Sequence, residues 1–81
     1  MTNYTAYTAT WCGPCTRLKP FLNELAKTNP LDFVDIDAKP ELAQHAGIKG
    51  IPCVVRYDDQ GVELARLVNP KPSELKTFVE E

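Results

Sequence analysis

The sequence contains no apolar run longer than a few residues, far short of the roughly 20 that a membrane-spanning helix needs. No segment is therefore expected to cross a bilayer. It also lacks a basic excess, with 9 Lys and Arg against 11 Asp and Glu. The resulting net charge of −2 argues against a nucleic-acid binder. Cysteines number 3, too few and odd in number for a disulfide scaffold. With 1 histidine in the chain, a zinc site would have to draw on Cys12, Cys15, Cys53 and His45. An iron–sulfur cluster meets the same shortage of ligands. Residues Met1 to Thr5 hold neither a basic stretch nor an apolar one, so no secretory signal is read there and a cytoplasmic, reducing compartment is expected. Internal repeats and low-complexity tracts are missing too.

What the chain does have is an ordinary soluble composition, 43% hydrophobic and 25% charged over 81 residues. That predicts one globular domain, residues 1–81, with a modest core. Asn3 to Ala9, rich in Tyr and Thr, reads as a first strand. After Cys15, the apolar residues Leu18, Phe21, Leu22, Leu25 and Ala26 recur at helical spacing, predicting an amphipathic helix from Gly13 to about Thr28. Asn29-Pro30 stops it, and Pro20 inside it removes one backbone hydrogen bond. Leu31 to Ile36 predicts a second strand; strand, helix and strand make a βαβ unit with parallel pairing.

Lys39 to Ala46 predicts a short helix with Pro40 in its first turn and Gly47 as its stop. Cys53 to Tyr57 and Val62 to Val68 flank the turn Asp58-Asp59-Gln60-Gly61 and predict an antiparallel hairpin. Ser73 is placed to cap a last helix carrying Leu75, Phe78 and Val79.

The chemistry concentrates in Trp11-Cys12-Gly13-Pro14-Cys15, at the junction of the first strand and first helix. Disulfide exchange requires a thiolate exposed enough to meet its target. Cys12 stands at a helix N-terminus, where unpaired N–H groups and the dipole favour a sulfur anion. Cys15, one turn in, is expected to be more shielded. Gly13 and Pro14 shape the loop between them. Cys53, in an apolar strand, reads as a small buried hydrophobe, and His45 as a surface residue. Asp32, Asp35 and Asp37 read as the solvated edge and end of the second strand rather than a metal site, and Trp11 as a contact surface beside the motif.

These residues carry a resemblance. Trp11 to Cys15 reads as the active-site motif of the thioredoxin family, Pro20 stands at the family's helix-kink position, and Gly47 to Cys53 is similar to the segment leading to its cis-proline. The resemblance runs from about Ala6 onward. It implies an α/β thioredoxin-like fold, a minimal βαβ-α-ββα with a four-stranded mixed sheet flanked by helices. It also implies a thiol-disulfide oxidoreductase that reduces protein disulfides, with Cys12 as nucleophile and Cys15 as resolving thiol. The redox-active Cys12–Cys15 disulfide would be its only redox group, with no bound cofactor and no metal.

Ile51-Pro52 is then expected to be a cis peptide beside Cys12, with Trp11, Ile51, Pro52 and Val68 at the substrate groove. Implied partners are disulfide-containing proteins and an NADPH-dependent thioredoxin reductase, serving a monomer. A glutaredoxin-like protein recharged by a low-molecular-weight thiol, and a non-catalytic binding module, are the alternatives.

The sequence departs from the family pattern at several places. Full-length members carry an extra strand and helix before the central strand. Ala6 replaces a buried acid, Phe33 replaces the lysine that often accompanies it, and Val68 stands where a glycine is usual. Assisted deprotonation of Cys15 is therefore not expected, and the groove is expected to be narrower at Val68.

Overall fold

The computed structural model describes residues 2–80. Its elements run β1 (Asn3–Thr8), α1 (Gly13–Ala26), β2 (Leu31–Asp35), α2 (Pro40–Ala46), β3 (Cys53–Tyr57), β4 (Glu63–Val68) and α3 (Pro72–Glu80). The four strands form one mixed sheet in the order β2-β1-β3-β4. β1 pairs parallel with β2 and antiparallel with β3, and β3 pairs antiparallel with β4. This is the strand and helix order expected from the sequence.

Strand alternation sorts the core into two faces. From β1 and β3, Tyr4, Ala6 and Val54 meet Leu18 and Leu22 of α1 and Leu75 and Phe78 of α3. Leu22 and Leu75 are fully covered, and burial of such a side chain contributes about 1.5–3 kcal/mol. At the rim of this face Arg56 lies over the Phe78 ring, 4.8 Å from its centroid, and donates to the Phe78 carbonyl. Tyr7, Cys53 and Val55 point to the other face, toward Ala46 of α2 and the Ile48 and Ile51 that follow it.

α1 buries Cys15, Leu18 and Leu22, the i, i+3, i+7 stripe that sets it against the sheet. Pro20 lies inside it and has no N–H to offer the Thr16 carbonyl. α2 starts with Pro40 at its first position and ends at Gly47, whose φ of 68° gives the left-handed terminus that suits glycine. Arg66 of β4 donates to the Ala46 and Gly47 carbonyls at 2.7 and 3.3 Å, satisfying the end of α2. The same guanidinium pairs with Glu63, which holds that carboxyl below its usual range.

The last helix corrects an expectation. α3 begins at Pro72, so Ser73 lies within its first turn rather than at its cap. Lys71 precedes the helix, and Glu74 Oε1 reaches back to accept the Lys71 N–H at 3.0 Å, the carboxylate half of a capping box. Proline at the first helical position leaves no N–H to cap there, and the helix starts two residues earlier than a cap at Ser73 would place it.

Candidate active site

β1 delivers the chain at Thr8 and α1 takes it up at Gly13, so Trp11 and Cys12 sit on the tight link between them. The link is closed by the Cys12 N–H donating to the Ala9 carbonyl at 3.2 Å. Cys12 is the N-cap of α1, with extended backbone (φ −85°, ψ 112°). Its sulfur accepts the Cys15 backbone N–H at 3.2 Å, in the place where a serine or aspartate oxygen ordinarily caps a helix. A group at this point meets the positive end of the helix dipole and an aimed N–H donor, both of which favour a negative charge on sulfur.

Cys12 and Cys15 are joined as a disulfide, with their Cα atoms 5.2 Å apart. Cys12 is 6% exposed and Cys15 3%. The expected contrast, an accessible Cys12 and a shielded Cys15, is thus small in this oxidised form. Both cysteines pack with Ala9 under Ile36 and Ile51, which cover the pair.

The Ile51–Pro52 peptide is cis. It brings the Ile51 carbonyl oxygen 4.0 Å from Cys12 Sγ. Pro52 itself is buried, and its carbonyl accepts the Asn69 N–H at 2.7 Å, which ties the end of β4 to the same loop. Val68 is a regular strand residue paired with Cys53 and 58% exposed. The left-handed backbone that favours glycine belongs instead to Asn69, with φ 50°. Val68 leans on Gly50: a Cβ there would lie 3.1 Å from Val68 Cγ1, so glycine at 50 makes room for valine at 68.

Trp11, next to Cys12 in the motif, is 67% exposed. It is also tethered. Its indole N–H donates to Asp37 Oδ2 at 2.6 Å, and the Asp37 N–H in turn donates to Asp35 Oδ1 at 2.9 Å. The reading of these acids as a solvated strand end therefore missed the role of Asp37 in orienting the tryptophan. Its one sequence signal was an acid just beyond β2, the strand that runs parallel to β1 and so ends beside the motif.

Cys15 also borders a cleft of about 200 Å³ together with Thr8, Thr16, Lys19, Phe33 and Asp35. Ala6 lies fully buried among Leu18, Leu22 and Val54, so the usual position of the family acid is here part of the apolar core. Cys53 is 1% exposed and unpaired, and burial pushes its thiol above the ordinary value, with Arg66 partly opposing. His45 is exposed, away from the motif on α2. Among the described residues, no group of three or more His, Cys, Asp or Glu is placed to hold a metal ion.

Comparison with known proteins agrees with this geometry. The family model described as Thioredoxin matches residues 4–81. The chain is 34% identical over 76 residues to Thioredoxin H2 of Arabidopsis thaliana, covering 90% of this chain and 56% of that protein. It is 33% identical over 70 residues to the SPbeta prophage-derived thioredoxin-like protein YosR of Bacillus subtilis (strain 168), covering 86% and 85%. A solved thioredoxin of Plasmodium falciparum superposes with a TM-score of 0.92 at 30% identity, covering 98% of this chain and 79% of that one. The chain thus spans little more than half of Thioredoxin H2 but most of YosR. The mixed four-stranded sheet with three helices is the thioredoxin-like fold. A match along nearly the whole sequence, with the cysteine pair joined at the N-terminus of α1, establishes that the chain belongs to the thioredoxin family.

Proposed function

We propose that the protein is a thiol-disulfide oxidoreductase that reduces protein disulfides, acting as a single domain over residues 1–81. One observation carries the reading: Cys12 sulfur caps α1 and accepts the Cys15 N–H, while bonded to a cysteine one turn into the same helix.

In the reduced protein the Cys12 thiolate attacks one sulfur of a substrate disulfide. A Cys12–substrate disulfide forms, the substrate S–S bond breaks, and the released substrate thiolate takes up a proton. Cys15 then loses its proton and attacks Cys12 sulfur, which expels the second substrate thiolate and closes Cys12–Cys15. Two electrons pass from protein to substrate. Two more, from an external reductant, reopen the disulfide.

The N–H aimed at Cys12 supports its role as nucleophile, since it stabilises the anion both before attack and as leaving group. Cys15, packed beneath, is the resolving thiol. With Ala6 in the core where the family carries its acid, the Cys15 proton passes to water in the cleft that Cys15 borders with Lys19 and Asp35, or to the departing sulfur. Trp11, oriented by Asp37, Ile51 and Pro52 beside Cys12, and Val68 above Gly50 form the surface against which an extended substrate segment lies.

The family supports recharging by an NADPH-dependent thioredoxin reductase, with no bound cofactor beyond the disulfide. Among the described residues no helix is long and apolar enough to cross a membrane. The reducing chemistry proposed fits a reducing compartment such as the cytoplasm, where the protein would act as a monomer.

The reading is tested by reduction of insulin with dithiothreitol as electron source, followed by a Cys15→Ser variant that cannot resolve. The expected outcome is catalysed precipitation of the insulin B chain by the unaltered protein, and a stable Cys12–insulin mixed disulfide with the variant. No acceleration over dithiothreitol alone would sink it. Recharging by glutathione in place of NADPH and a reductase would move the protein to the glutaredoxin-like alternative.

A further inference from the structure

A second cleft flanks the motif. It has a volume of about 380 Å³ and lies between the first turns of α1 and the connection from β4 to α3. Pro14, Arg17 and Leu18 line one side, and Asn69, Lys71 and Pro72 the other. Pro14 belongs to the cysteine motif, and Asn69 is tied to Pro52 through its N–H. The cleft therefore continues the surface proposed above to receive substrate.

Its charge runs against the rest of the molecule. The chain carries a net charge of −2, yet the titratable side chains lining this cleft, Arg17 and Lys71, are both cations. Both residues are exposed. Arg17 Nη1 lies 3.7 Å from where a Gly13 side chain would begin, so its guanidinium folds back along the motif rather than out from the helix. Glu74, the nearest acid in sequence, turns its carboxylate to the Lys71 backbone N–H and does not line the cleft.

From this we infer that Arg17 and Lys71 select substrates with an acidic residue beside the reactive disulfide. The cleft takes that carboxylate while Cys12 engages the sulfur. The inference rests on the disulfide-reductase reading and deepens it by naming the class of protein segment preferred. Guanidinium offers a paired-donor contact to a carboxylate, and the lysine a point charge across from it. At an exposed rim such charges act chiefly on encounter and orientation, so the preference should be screened by salt.

The test uses three peptides with the same intramolecular disulfide and Glu, Gln or Lys next to one cysteine. Their rates of reduction are normalised to each protein's rate with hydroxyethyl disulfide, a neutral substrate. The expected order is Glu over Gln over Lys at low salt, with the two extremes separated about threefold to tenfold. The spread should contract at high salt. In the Arg17→Gln, Lys71→Gln double variant it should fall to near unity, while Lys27→Gln, on the exposed C-terminal end of α1, keeps it.

Equal rates for the three peptides with hydroxyethyl disulfide still reduced would overturn the cleft assignment and leave the reductase reading standing. A preference that survives the double variant would overturn it as well. So would a preference for oxidised glutathione over hydroxyethyl disulfide larger than that for the Glu peptide, because a small free carboxylate would then be the occupant. Failure to reduce hydroxyethyl disulfide at all would instead strike the reductase reading and the inference with it.

Discussion

Cys12 and Cys53 invite comparison because they share so much. Both are nearly covered, at 6% and 1% exposure, and both lie close to the Ile51–Pro52 peptide, one beside the Ile51 carbonyl and one next in sequence. Their sulfurs nonetheless meet opposite surroundings. Cys12 sits at a helix N-terminus with an amide N–H aimed at it. Cys53 starts a central strand, in an apolar cluster with Tyr7 and Val55, where burial raises the thiol. Coverage by itself therefore does not make a cysteine inert. What separates the two is whether the covering groups offer donors to an anion or deprive it of water.

Substitution gives the largest expected effect. Cys12→Ser should lower insulin reduction by at least about a thousandfold, as loss of a nucleophile does. Cys53→Ala should keep the rate within about twofold, because a buried neutral thiol contributes packing rather than chemistry. Comparable losses in both variants would break the comparison.

A smaller effect follows from the raised Cys53 thiol. Its unfolded-state value is near the ordinary value of about 8.5, below that of the folded protein. The unfolded chain therefore loses the proton first as pH rises. The contribution of the neutral buried thiol is fully present below about pH 8.5 and is lost as pH climbs through the folded value. Tyr57 adds in the same sense at higher pH, its phenol raised by burial and by its 2.9 Å hydrogen bond with Tyr7. Thermal melts of the oxidised protein should show Tm falling between about pH 8 and about pH 10, and Cys53→Val should flatten the first part of that decline. An unchanged slope in the variant would mean that Cys53 does not titrate against folding.

The same contrast bears on what the sequence discloses. The stripe of Leu18, Leu22 and Leu25, the Tyr and Thr content of β1 and the turn at Asp58 to Gly61 are local signals, and local signals were enough for the order of elements. The motif was equally plain, because its function depends on spacing along one helix turn. The cis state of Ile51–Pro52 came through resemblance, since an isolated Ile-Pro dipeptide favours trans.

What stayed hidden depends on distant parts of the chain meeting. Asp37 holds Trp11 from 26 residues away, and only the parallel pairing of β1 with β2 brings them together. Asn69, rather than Val68, takes the left-handed conformation because the bond to Pro52 sets where β4 ends. Glu74 reaches back to Lys71 where Ser73 was the expected cap, since Pro72 had already started the helix. The clefts beside Cys15 and beside Pro14 are likewise joint products of segments far apart in sequence.

The central claim, that the end of α1 makes Cys12 the anionic thiol while Cys53 stays protonated, is met most directly by titrating the reduced protein. Iodoacetamide alkylation of each cysteine, followed by mass spectrometry across pH, reads the thiolate fraction site by site. Cys12 is expected to react first, with a midpoint below the ordinary thiol value of about 8.5, and Cys53 only above it. A midpoint for Cys12 at or above that value, or alkylation of Cys53 ahead of it, would contradict the account.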